Sequence, residues 1–502
     1  MASLRFDRAP TGRLAEICLL IIAFLIGTLA FASTMLNMQG ALTPTFTRSV
    51  AIFFVFCVVA HLIVRYFAPY ADPVLLPCAV ALNGLGVAMI YRLDISYRAV
   101  GQQANVTGSK QLIITLVSIV LMAVTLIVLR DHRQLRRFTY TSMVLGIVLL
   151  LLPVLPGLGS RRGGAQIWID VFGFTFQPSE IAKICFAVFF AGYLVARRDS
   201  LALGGKKILG LRLPRLRDFG PIVVVWILSL AVLVLQRDLG TSLLLFGLFV
   251  ALLYVATNQV SWLAIGAALF LPAAWAASKI FSHVGARFEV WLDPFNPEVY
   301  NRATGGSWQL VQGLFGMANG GMIGTGWGHG YPWLVSQANS DFIYASLAEE
   351  TGLSGALVLL LIYLVFVERG MRVAVSVRDG FGKLLASGLA FAIGLQVFVV
   401  VGGVTRLIPL TGLTLPFVAA GGSSLLANWM ILAILLRISH SARRPATPGG
   451  TVSTTEINLI LDREAREKAR EHASGPRIRR KSEAQSTPSS EPATAQEGGE
   501  NL

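Results

Sequence analysis

Apolar residues along this chain fall in unbroken blocks of roughly 18 to 20, long enough to cross a hydrocarbon layer of about 30 Å, and not at the spacing of a helix with one wet face. The blocks lie at 15–33, 50–68, 72–93, 110–129, 139–157, 178–196, 219–236, 242–257, 262–281, 342–367, 384–404 and 421–437. Backbone inside lipid must satisfy its own hydrogen bonds, so the blocks predict an all-α fold, a polytopic transmembrane helical bundle of about twelve spans. A composition of 54% hydrophobic and 14% charged residues agrees with that class.

The polar stretches between blocks are asymmetric. "RDHRQLRR", "ARRDSLALGGKKILGLRLPRLRD", "VERGMRVAVSVRDGFGK" and "RISHSARR" fall on one side when twelve spans are threaded in order, which makes that side and both termini cytoplasmic. The net charge of +15 then reflects topology and contact with anionic membrane lipids, and no nucleic acid partner is expected. Cys18, Cys57, Cys78 and Cys185 all sit inside spans at no ligand spacing, so neither a structural disulfide nor a metal cluster is expected. The first block ends in "LAFAS", which could pass for a cleavage site, but its length and the eleven spans behind it favour an uncleaved anchor. Beyond Ser439 the composition turns polar, predicting a disordered tail with one short helix in "TTEINLILDREAREKAREH" capped by Thr455.

Five stretches carry candidate chemistry. "FQPSEIAKI" opens the sixth span, and its Glu180 and Lys183 share one helix face one turn apart, as a buried ion pair or the wall of a wet cavity. "LQRDLGTS" makes a tight outer turn whose Arg237 and Asp238 read as an interfacial pair or an anion site. The outer segment between spans nine and ten, about 60 residues long, carries Arg287 and then the glycine-rich "FGMANGGMIGTGWGHG"; its tryptophans argue for a folded loop against the outer membrane face. Asp341 stands where that segment enters the tenth span, a place a helix cap would take, and Glu349 lies eight residues on, about 12 Å deeper. A carboxylate at that depth demands a partner, a proton or a cavity. "RLIPLTGLTLPFVAAGGSSL" is irregular backbone between the last two spans, tolerated only where it lines a cavity or is buried in protein, with Arg406 at the rim.

Together "GGAQIWIDVFGFTFQPSEIAKI", "QRDLGTS", "GGMIGTGWGHG", "SDFIYASLAEETGLSG" and "IPLTGLTLPFVAAGGSS" stand in the order found in the SEDS family, the RodA, FtsW and SpoVE proteins of bacterial cell-wall synthesis, and the chain resembles that family from Pro73 to Ser439. The elongation-type members look nearer than the division-type ones. The resemblance implies a ten-span core at 71–440, preceded at 1–70 by a cytoplasmic segment with two extra helices and followed by the tail at 441–502.

It further implies a peptidoglycan glycosyltransferase in the bacterial cytoplasmic membrane, acting in cell elongation and shape. Lipid II would be its substrate, undecaprenyl diphosphate its leaving group, and a class B penicillin-binding protein, a transpeptidase, its partner. The catalytic aspartate of the family motif falls on Asp341, within an extracytoplasmic site. Arg237, Arg287 and Arg406 would hold the diphosphate, a divalent cation such as Mg or Mn would bridge phosphates to a carboxylate, and Glu180, Lys183, Asp238 and Glu349 would shape the cavity. The sequence departs from the family pattern where Asn339 and Ser340 replace a histidine and a threonine, where Ala419 and Ala420 replace a serine and a tyrosine, and where "FNPEVYNRATGG" omits an Asp-Pro. A lipid II flippase, or a membrane scaffold without activity that positions a transpeptidase, are the competing readings.

Overall fold

The computed structural model describes residues 12–101, 107–162, 165–171, 174–202, 207–208, 211–212 and 220–445. Chain contacts make one unit of Met1–Arg444 and a second of Pro445–Leu502. The short helix expected at Thr455 lies outside the described residues.

The apolar blocks form the helices they predict. In order these are α1 (Arg13–Gln39), α2 (Pro44–Phe67), α3 (Leu75–Ala99), α4 (Gly108–Val128), α5 (Thr139–Leu151), α6 (Ser179–Ala202), α7 (Gly220–Gln236), α8 (Leu239–Thr257) and α9 (Ser261–Ile280). The long segment after α9 then adds the short α10 (Ser282–Leu292), α11 (Pro297–Tyr300) and α12 (Trp308–Gly320), before α13 (Ile343–Ser376), α14 (Gly380–Val404) and α15 (Gly422–Arg443). Among the described residues 11 helices are long and apolar enough to cross a membrane, counting α5 with the turns that flank it. The remaining expected span is α7, whose apolar stretch Val223–Gln236 is shorter.

Two small antiparallel sheets interrupt the helical pattern. β1 (Gly159–Arg162), β2 (Ala165–Val171) and β3 (Phe174–Phe176) pair in sequence order between α5 and α6, with Ile169 opposite both Gly159 and Phe176. β4 (Lys207–Ile208) and β5 (Leu211–Arg212) form a hairpin after α6. The alternation in "QIWID" fits the first sheet, with Ile167 and Ile169 buried on one face.

Helices α3 and α15 are buried almost throughout, and α6, α8 and α14 over most of their length, so these five form the centre. α1, α2, α5 and α9 lie outside them with apolar side chains such as Leu29, Phe54, Val144, Leu271 and Trp275 exposed, as lipid-facing helices require.

α13 is broken at Gly352, whose φ of 70° and ψ of −174° are not helical. An intact helix would bond the amides of residues 353 and 354 to the carbonyls of 349 and 350. Here the glycine-rich segment after α12 takes over both ends. Thr325 N and Gly326 N donate to the carbonyls of Glu349 and Glu350, and Leu353 N and Ser354 N donate to those of Gly321 and Met322, at 2.9–3.1 Å. Contact this close needs glycine on both sides. A Cβ on Gly324 would lie 2.3 Å from the Glu350 carbonyl oxygen, and one on Gly352 would lie 2.3 Å from Gly324 N.

Candidate functional site

Asp341 is half-buried two residues before α13, and it does not cap that helix. The N-cap position is Phe342, with no side-chain bond, and the Asp341 carboxylate instead accepts from the Ser340 hydroxyl at 2.8 Å. The structural role that a carboxylate at this position would ordinarily serve is therefore absent. Burial holds Asp341 above the ordinary aspartate value, the Ser340 hydroxyl and the Arg287 guanidinium pull it back, and the Asp238 carboxylate adds to the rise.

Asp341, Asp238 and Arg287 thus form one electrostatic cluster. Asp238 caps α8, accepting from Thr241 N at 3.1 Å and from the Thr241 hydroxyl at 2.5 Å. Burial raises its pKa as well, against the Thr241 bonds and Arg287. Arg287, from α10, donates to the carbonyls of Leu410 and Thr411 at 3.1 and 2.8 Å. Both Arg287 and Asp341 border Gly412, at φ 78°, where a Cβ would lie 3.7 Å from Arg287 Nη2 and 3.9 Å from Asp341 Oδ2. Two carboxylates and a guanidinium that meet where a long loop joins a membrane helix can accept a proton and hold an anionic oxygen.

The other two arginines sit differently. Arg237 is exposed at φ 58° on the turn beside Asp238. Arg406 donates to the carbonyls of Trp291 and Leu292 at 2.8 Å, and Trp291 Nε1 returns a bond to the Arg406 carbonyl. Arg406 is thus committed to fastening the start of the irregular segment onto α10, and its place in the fold gives it a structural task.

That segment, residues 405–421, is the floor of the site. Its backbone is mostly buried and not helical, and side chains from several helices bind its carbonyls. Asn83 of α3 donates to Phe417 O, Gln111 of α4 to Ala419 O, Tyr363 of α13 to Pro416 O and Gln396 of α14 to Thr414 O. Ala420 N closes on Asn339 O at 2.8 Å, tying the floor to the loop of Asp341. This is irregular membrane backbone made tolerable by protein partners.

Beneath the floor, Lys183 Nζ meets Glu180 Oε2 at 2.6 Å, Gln396 Oε1 at 2.8 Å and Asn428 Oδ1 at 3.3 Å. The ammonium donates to Gln396 and Asn428 and pairs by charge with Glu180, so the group joins α6, α14 and α15. Gln396 connects this cluster to the floor through Thr414.

Glu349 is buried under the glycine-rich segment and not in an open cavity. Its Oε1 accepts from Tyr331 N at 2.8 Å and from Asn319 Nδ2 at 3.4 Å. Glu350 accepts from Gly328 N at 3.1 Å and pairs with Arg92, which also donates to the Gly330 carbonyl. Sequence reasoning overlooked Arg92, Asn83, Gln111, Gln396 and Asn428. Their signal is a lone polar residue in a buried apolar span, the pattern that marks interior contacts.

No group of three metal-ligating acids, histidines or cysteines occurs among the described residues. Asp238 is occupied as a cap, which leaves Asp341 to offer a divalent ion a single carboxylate. A divalent ion that keeps most of its waters and sits on a ligand's phosphates needs only one or two protein carboxylates, and a single carboxylate fits that use.

The model of the cell cycle protein family FtsW/RodA/SpoVE matches residues 73–444. The peptidoglycan glycosyltransferase RodA of Mycobacterium tuberculosis is 45% identical over 438 residues, 87% of this chain and 92% of its own length. The probable peptidoglycan glycosyltransferase FtsW of Geobacter metallireducens is 32% identical over 380 residues, 75% of this chain and 96% of its own. A solved chain from work on "structural coordination of polymerization and crosslinking by a peptidoglycan synthase complex" shares the fold, with a TM-score of 0.53 at 23% identity, covering 79% of this chain and 98% of that one.

Proposed function

The chain belongs to the FtsW/RodA/SpoVE family, and from that premise we infer that it is a peptidoglycan glycosyltransferase that polymerises glycan chains from lipid II in cell elongation. The observation that carries the chemical part is Asp341, a carboxylate freed from capping and raised in pKa by burial beside a guanidinium.

In this reading the acceptor sugar's 4-hydroxyl attacks the donor's anomeric carbon while Asp341 takes the hydroxyl proton. The carbon–oxygen bond to the lipid diphosphate breaks with inversion, and undecaprenyl diphosphate leaves with the electron pair. Arg287 is placed to stabilise charge on the diphosphate. Mg or Mn, arriving on the substrate, would neutralise phosphate charge. The arginines and lysines concentrated in alternate loops support an extracytoplasmic site with both termini cytoplasmic. The pairing of polymerization with crosslinking in the solved synthase complex supports a transpeptidase partner, which in this reading is a class B penicillin-binding protein. Against the flippase reading, Lys183 Nζ and Glu349 Oε1 are both engaged within the protein.

The test supplies lipid II and Mg or Mn to the purified chain with its transpeptidase partner, and compares it with Asp341→Asn. Loss of a general base lowers turnover by about 100- to 10,000-fold. Full polymerisation by the variant would sink the assignment of Asp341, and no polymer from the unaltered chain would sink the polymerase reading.

A further inference from the structure

α1 and α2 precede the stretch matched by the family model, yet α1 reaches the loop that braces the site. At its outer end Asn37 Nδ2 donates to the Trp327 carbonyl at 2.7 Å, and Met38 packs against Gly328, where a Cβ would lie 2.9 Å from Met38 Cγ. Gly328 N in turn donates to Glu350, Arg92 of α3 holds the Gly330 carbonyl, and Tyr331 N donates to Glu349. Residues 327–331 are therefore gripped from one side by α1 and α3 and from the other by the two glutamates at the break in α13. The half-helix that carries those glutamates begins two residues after Asp341.

α1 is fixed along its length. Near its cytoplasmic end the buried Glu16 accepts from His61 Nδ1 of α2 at 2.8 Å and pairs with Arg65. In its middle Gly27 lies against the backbone of Gly84 on α3, so close that a Cβ would sit 3.0 Å from the Gly84 Cα, and Phe53 of α2 closes over the crossing. A helix held at two levels acts as a strut, and the contact it presents at the third is the Trp327–Gly328 turn.

We propose that the N-terminal helix pair is a positioning element of the active site, with Asn37 as the residue through which α1 sets the glycine-rich segment and, by way of Glu349 and Glu350, the half-helix behind Asp341. The proposal rests on the polymerase reading for its catalytic part, while the bracing of the loop stands independently of it. Asn37 acts through the loop and touches no reacting atom.

The experiment compares full-length Asn37→Asp, Asn37→Gln and Gly27→Leu with the unaltered chain, reading amide hydrogen exchange across 321–331 and 353–354 and the kcat and KM of polymerisation with lipid II. Asn37→Asp keeps the size and removes the donor. It should speed exchange in 325–331 and lower kcat about five- to tenfold, the factor set by one hydrogen bond of ordinary strength, with KM within about twofold. Asn37→Gln, which keeps the donor, should restore most of kcat. Gly27→Leu pushes α1 off α3 about 15 Å from Asn37 and should reproduce the Asp phenotype. Unchanged exchange in Asn37→Asp overturns the brace, and faster exchange with unchanged kcat overturns its positioning role. If the unaltered chain makes no polymer, the polymerase reading fails while the exchange comparison still decides the brace.

Discussion

Asp341 and Arg287 both border Gly412, each bonded to a neighbour other than the other, Ser340 for the carboxylate and two floor carbonyls for the guanidinium. No side chain fills the gap beside the two groups at Gly412. Gly412→Ala would put a methyl in ordinary contact with both groups and force alanine to a φ of 78°. The backbone strain costs about 1–2 kcal/mol, which the fold should survive. Turnover with lipid II should drop by about tenfold or more, because the methyl would touch both the base and the cation. Near-normal kcat/KM in a folded variant would show that the gap is not the reaction site.

The pH dependence has a sign that can be worked out. A general base acts when ionised, and Asp341 is raised above 3.8, so the acid limb of kcat/KM should lie above that value. Arg287→Gln removes a cation that lowers the pKa and should move the limb to higher pH. Asp238→Asn removes a carboxylate that raises it and should move the limb to lower pH. Shifts in the same direction for the two variants would contradict this electrostatic arrangement.

The same raised pKa predicts an opposition between stability and activity. Folding favours protonated Asp341, a contribution fully present below the unfolded value of 3.8 and lost as pH rises through the higher folded value. At neutral pH the ionised group therefore weighs against the fold. Asp341→Asn should raise the thermal midpoint at pH 7 while abolishing polymerisation, and the gain should disappear below about pH 4. A lower midpoint at pH 7 would mean that Asp341 serves the fold after all.

Arg92 and Glu350 are a buried pair whose members sit 258 residues apart in sequence. Arg92→Met leaves Glu350 buried without its cation, at a cost of about 3–5 kcal/mol, whereas Arg92→Met with Glu350→Gln should recover most of that loss. Denaturation midpoints of the two single variants and the double variant decide it. A double variant no better than Arg92→Met would show that the guanidinium matters through its bonds to Gly330 and Ser96.

How much of this could be read from residues alone follows from the range of each interaction. The spans were legible because hydropathy is a local sum, and helices such as α6 and α14 begin within a few residues of their apolar blocks. Asp341 was legible as an acid at a junction, but its freedom from capping was not, since that depends on where the helix starts by one residue. Arg92 and Gln396 were lost in the average of the apolar blocks around them. The charge of Arg406 was visible while its two carbonyl partners on α10 were not. "GGMIGTGWGHG" announced close backbone approach without saying to what, because its partner backbone lies across a helix break that no local pattern records.

That break bears on how the protein can move. An interrupted membrane helix is ordinarily where bending enters, since the missing backbone bonds leave a soft point. In α13 the two bonds lost at Gly352 are exchanged for four to the neighbouring segment, so helix and loop are stitched into one stiff plate. Motion that admits a polymer and releases a lipid carrier must then divide the molecule along other seams, with the plate carrying Asp341 as a rigid passenger.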